Sequence, residues 1–147
     1  MALSSGAERW RENWIAIAPP DAVRVKLPRG SSKRRLGIAL ASLLPGTPVV
    51  LYATAPGAIR RCSSFARRTG IEVEREYLAF PSALAPAYLV EDAPDSTRLF
   101  FGSVLTEPPR PGFRILSAAA RALLARLASW RGTRRIAPGR LVVGRLT

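Results

Sequence analysis

The stretch of this sequence best suited to hold an anion is Arg29-Gly30-Ser31-Ser32-Lys33-Arg34-Arg35. It follows a short apolar run and precedes a helical pattern. Backbone amides at a helix start, two hydroxyls and several cations would therefore converge on one point, and Arg29, Gly30, Ser31, Ser32, Lys33 and Arg34 are the candidate anion-binding residues. A Walker loop needs two glycines and a Gly-Lys-Ser/Thr ending, which this turn lacks. The plainer reading is a capped helix with a solvated basic first turn, although cations there oppose the helix dipole unless an anion is bound.

The carboxylates offer less. Glu72, Glu74 and Glu76 are spaced two apart, which puts them together on the polar face of one strand as solvated partners for arginines. Glu91 and Asp92 adjoin a proline-rich loop; paired acids there could serve as a base or metal ligands, but a loop surface is the simpler expectation. Cys62 is the only cysteine, so no intramolecular disulfide exists, and a thiol in a helical pattern is more often buried than reactive. The chain has no histidine, which removes the commonest metal ligand and general base. Zinc sites and Ser-His-Asp or Cys-His systems are excluded within it, and no catalytic or metal residue is assigned.

The net charge of +13 is almost wholly arginine, because Lys26 and Lys33 are the only lysines. Such a surface attracts nucleic acid, anionic headgroups or phosphorylated substrates. The arginines are nevertheless spread along an alanine- and proline-rich chain, as compositional bias alone would spread them. Aromatic and basic residues alternate at Trp10, Arg11 and Trp14 and again at Phe113, Arg114 and Trp130, a pattern that could stack bases. No recognised nucleic-acid motif accompanies it, and packing of Trp10 and Trp14 by an amphipathic N-terminal helix is expected.

The elements that must position these groups alternate strand and helix within 147 residues, the length of one domain. Residues 1–21 form an N-terminal helix and linker, and 22–105 an α/β core. Within the core, Ala22 to Leu27 is a strand, Lys33 to Leu44 a helix capped by Ser31 or Ser32, and Pro48 to Ala53 a buried strand. Ala58 to Arg68 is a second helix closed by Gly70, and Ile71 to Phe80 an alternating strand. Pro81, Pro86 and Pro94 make the next segment irregular, with a short strand at Ala87 to Glu91. Thr106 to Gly112 is a linker. Phe113 to Arg131 is an amphipathic helix with Leu116, Ala120, Leu123, Leu127 and Trp130 on one stripe, whose basic face could contact a membrane surface peripherally. Leu141 to Val143 is a closing strand.

Leu36 to Ile59 is uncharged and long enough to span a bilayer, but Pro45-Gly46-Thr47-Pro48 would break a helix at its middle, so no transmembrane segment is expected. Glu8, Arg9, Arg11 and Glu12 interrupt any signal-peptide core, so a cytoplasmic location is expected.

Helix, then LLPGTPVVLY, then helix, then TGIEVEREYLAFPS resembles the back half of a class I S-adenosylmethionine-dependent methyltransferase. In that family a helix ends in a leucine, proline and glycine turn before strand five, and another ends in a glycine before strand six; Leu43 to Tyr52 and Thr69 to Phe80 occupy those places. YLAFPSALAPAYLVED is similar to a segment of methyltransferase-like proteins of glycan and secondary-metabolite pathways, and APGRLVVGR to the last strand of the domain. The resemblance covers about two thirds of the chain. It implies an incomplete Rossmann-like, mostly parallel sheet with flanking helices and a C-terminal amphipathic helix. The family's cofactor-binding G-x-G-x-G turn and following ribose-binding acid have no counterpart, so no cofactor residue can be carried over.

Three outcomes stay open: the cofactor site is lost, a partner chain completes it so that S-adenosylmethionine binds, or another anion uses the Arg29 to Arg35 turn. The expectation is a shortened, non-catalytic methyltransferase-like accessory or binding protein in a bacterial-type biosynthetic pathway. Sheet edges left exposed would favour a protein partner or self-association. The alternatives are a basic module for nucleic acid or anionic headgroups, and an active S-adenosylmethionine-dependent transferase, either completed by a partner or with an acceptor site near Glu91 and Asp92. In an open α/β sheet the ligand belongs at the carboxyl ends of Ala22 to Leu27 and Pro48 to Ala53.

Overall fold

A computed structural model describes residues 13–29, 33–104 and 130–147. Gly30, Ser31 and Ser32 lie outside them, as do Trp10, Arg11 and all of the expected Phe113 to Arg131 helix except its last two residues.

The described elements are β1 (Val23–Lys26), α1 (Lys33–Ala41), β2 (Pro48–Thr54), α2 (Ala58–Thr69), β3 (Ile71–Phe80), β4 (Tyr88–Glu91), α3 (Pro94–Val104), α4 (Trp130–Ile136) and β5 (Gly139–Leu146). They build an α/β domain around one open, five-stranded mixed sheet of order β1-β2-β5-β3-β4.

The expected mostly parallel sheet is corrected by its last strand. β1 pairs parallel to β2, but β5 lies antiparallel between β2 and β3, and β4 is antiparallel to β3. β1, β2 and β3 all run the same way, as helical crossovers demand. The α2 crossover, however, leaves a gap one strand wide, and the closing strand fills it in the opposite direction. β5 runs from Gly139 to Leu146, well beyond the expected Leu141 to Val143, because it is hydrogen-bonded along both sides.

One face of the sheet packs Val49, Leu51, Val142 and Leu146 against Leu40 of α1 and Cys62, Phe65 and Ala66 of α2. The other packs Val50, Tyr77, Leu141 and Val143 against Trp14 and Ala18. Trp14 is 2% exposed and meets Tyr52 edge-on at 5.2 Å, while Arg24 lies 5.2 Å from its ring centroid. It is therefore a core residue, as an amphipathic N-terminal helix requires, and has no free face for a base.

Gly70 closes α2 in the left-handed conformation, its amide bonded to Ala66 O, as its place after the helix predicts. The segment after β4 is not irregular as expected: Pro94 opens α3 instead of breaking it. Proline suits a first helical position because its missing N–H has no intrahelical partner there. Asp95 favours the same end of the dipole, and Ala93 O accepts from both the amide and the hydroxyl of the buried Thr97. α3 brings Phe100 against Phe80 at 5.3 Å. No described helix is long and apolar enough to cross a membrane; Leu36 to Ile59 is instead the rest of α1, a turn, the interior strand β2 and the first residues of α2.

Candidate functional site

The parallel strands deliver the carboxyl ends of β1, β2 and β3 to one end of the sheet, together with the amino end of β5. A cavity of about 310 Å³ opens there, lined by Ala55, Gly57, Ala58, Ile59, Arg60, Arg134, Arg135, Ala137, Gly139 and Arg140. Its floor is the start of β5, one side is the loop leaving β2 and the first turn of α2, and the other is the end of α4.

The first turn of α2 is electrostatically one-sided. Gly57 takes the N-cap position at φ 73° and supplies no side-chain cap, and no acidic residue follows in the first turn. The amides of Ala58, Ile59 and Arg60 have no intrahelical acceptor. Arg60 and Arg61 add two cations where the dipole is already positive. Arg61 folds back under the loop, donating to Thr54 O and, at 3.2 Å, to Pro56 O, while its buried Nε and Nη1 find no acceptor among the described residues. Arg29 donates to Ala55 O from the other side.

Arg140 is fully buried and anchors a charge cluster behind the cavity. Its Nη1 donates to Asp92 and its Nη2 to Glu76, and its Nε has no acceptor among the described residues. Arg134 Nε donates to the same Asp92 oxygen at 2.7 Å, and its Nη2 lies 3.9 Å from Glu76. Asp92, whose side chain is 1% exposed, is thus not the solvated loop acid expected; Glu91 alone is exposed.

Glu76 departs from expectation as well. Ile71 packs into the α1/α2 face and Tyr77 into the opposite one, although an even spacing should leave them on the same side. A bulge between Val73 and Arg75 shifts the register by one and reverses the faces. Glu74 stays outside, paired with Arg145 at 2.7 Å, while Glu76 turns in toward Arg140.

Of the residues singled out around the Arg29 to Arg35 turn, Arg29 is exposed and tied to the cavity loop through Ala55. Lys33 is half-buried and Arg34 exposed at the start of α1, and none of the three lines the cavity. Reading the sequence missed Arg60, Arg135 and Arg140. The available signal was Pro56-Gly57 directly before a helix beginning with no acidic residue and two arginines.

Cys62, facing the cluster from α2, is fully buried. Burial pushes its thiol up to about 12, against the lowering fields of Arg140 and Arg61 and with a smaller raising effect from Glu76. A thiol whose folded pKa lies above its unfolded value of 9.0 contributes stability that is complete below that value and lost as pH rises toward 12. The stability of Cys62→Ala relative to the parent is therefore expected to improve between about pH 8 and about pH 10.5 in urea unfolding. A constant difference would show that the thiol ionises alike in both states.

No protein-family model, curated protein or solved structure gives a significant match to this chain.

Proposed function

We propose that this chain is a methyltransferase-like α/β domain that acts as a non-catalytic accessory or binding protein and holds an anionic small molecule at the carboxyl end of β2. The observation that carries this reading is the arginine-lined cavity over the uncapped start of α2. It lies where ligands of open α/β sheets bind, outside the carboxyl ends of parallel strands.

The methyltransferase-like part is supported by the placement of the segments that carry the resemblance. β2, β5 and β3 are consecutive neighbours in the sheet, and each helix preceding β2 and β3 ends at a glycine-containing turn. The accessory part is supported by β1, whose outer ladder is unpaired by any described strand. A basic polyanion-binding surface is the weaker account, because the cations at this end converge on a recess and several are anchored to backbone carbonyls or carboxylates.

Calorimetric titration of the full chain separates the readings. Inorganic pyrophosphate is expected to bind saturably at one site, whereas S-adenosylmethionine and S-adenosylhomocysteine give no binding heat. Stoichiometric binding of S-adenosylmethionine by the chain alone would instead support a working transferase. Binding to a nucleic acid duplex that falls steeply with salt, without any binding of pyrophosphate, would favour the polyanion module.

A further inference from the structure

Arg60 is the residue in the cavity wall hardest to explain structurally. Arg135, also at the wall, sits in the last turn of α4, where the helix dipole favours a cation without any ligand. Arg60 sits in the first turn of α2, where the dipole opposes it, with no acidic residue beside it. Neither makes an ion pair among the described residues. Together with the amides of Ala58, Ile59 and Arg60, which lack intrahelical acceptors, this turn concentrates donors around one point.

A second observation lies in the floor. Arg140 is wholly buried, forms part of the cavity wall, and keeps a buried Nε without an acceptor among the described residues. Leaving a buried donor without a partner is costly, and more so when the group is charged. Its other two nitrogens are held by Glu76 and Asp92, which fixes the guanidinium behind the cavity.

We infer that the cavity takes the phosphate of a small phosphate monoester, seated on the first-turn amides of α2 and clamped between Arg60 and Arg135. This rests on the cavity being the ligand site proposed above and adds its chemistry. The donors come from separate elements and different directions, which suits a tetrahedral dianion with three terminal oxygens better than the two coplanar oxygens of a carboxylate. Ala55, Ala58, Ile59 and Ala137 supply apolar wall for the remainder of the ligand. The cavity volume is at the small end for organic ligands and fits a compact one, not a polymer strand.

The test titrates the full chain with phenyl phosphate, inorganic phosphate and benzoate, following calorimetric heat and the backbone amide NMR signals of Gly57 to Arg60. Phenyl phosphate is expected to bind at one site, more tightly than inorganic phosphate, and benzoate to be at least about tenfold weaker, a difference of about 1.4 kcal/mol. Arg60→Ala and Arg135→Ala should each weaken phenyl phosphate by about tenfold or more without lowering the thermal midpoint, since each removes a charge-assisted contact from an exposed side chain. Arg67→Ala, at the far end of α2, should leave binding unchanged. Equal weakening by all three variants, or no response of the α2 amides, would overturn the inference. If benzoate or pyrophosphate binds in the cavity while phenyl phosphate does not, the phosphate-ester assignment fails and the binding reading survives. If none of these anions binds, both fail.

Discussion

Replacing Arg140 by methionine is expected to remove about 3–5 kcal/mol of folding stability, the usual result of taking one partner from a buried ion cluster. The arginine is itself inaccessible, and its two carboxylate partners differ: Asp92 is 1% exposed, whereas Glu76 is 29% exposed and regains some hydration. Most of the loss therefore comes from Asp92. Arg134 still holds that carboxylate at 2.7 Å, which places the expected loss toward the lower end of the range. Arg140→Lys should recover only part, because a single ammonium cannot span two carboxylates as a planar guanidinium does. Adding Asp92→Asn to Arg140→Met should restore about 1–2 kcal/mol by removing the stranded charge. Urea unfolding of the two single variants and the double variant gives the coupling directly. Additive losses would show that Arg140 and Asp92 do not act as a pair.

That cluster also shows why part of the site was legible in the sequence and part was not. Pro-Gly punctuation, the continuous apolar run of β2 and the glycine after α2 are local signals, and local backbone physics reproduces them: α2 closes at Gly70, and β2 is buried on both faces. Neighbour relations in the sheet are not local. Arg140 meets Glu76 and Asp92 across 64 and 48 residues of chain, through a last strand whose insertion between β2 and β3 no periodicity announces.

Glu76 leaves the solvated face for a more specific reason. Alternation of two is a sound rule until one extra residue enters the strand, and IEVEREYLAF carries no glycine or proline to mark where it does. The mark is on the other strand, at Gly144. Similarly, the serine, glycine and lysine of Arg29 to Arg35 stand together in the chain itself. Arg60 and Arg135 become neighbours only when α2 and α4 reach the same end of the sheet.

Gly144 carries the second large expectation. A Cβ at this position would overlap the carbonyl oxygen of Glu72 and lie 3.0 Å from both Glu72 C and Ile71 Cγ2. The first two obstacles are backbone atoms of a paired strand, so no rotamer change relieves them; β3 and β5 would have to separate at the bulge. Gly144→Ala is therefore expected to destabilise by about 3 kcal/mol or more, at or beyond the upper end for overpacking. Gly37→Ala is the matched control. Its added methyl meets only Thr69 Cγ2 at 3.7 Å, an ordinary contact, and alanine in the middle of α1 should gain roughly 0.5–1 kcal/mol. Opposite signs for the two substitutions in urea unfolding would distinguish steric exclusion from the general effect of replacing glycine. Because the bulge at Glu74 determines which way Glu76 faces, Gly144→Ala should also loosen the Arg140 cluster. The losses from Gly144→Ala and Arg140→Met should then sum to more than the double variant shows, whereas strict additivity would mean that the bulge and the ion cluster are held independently.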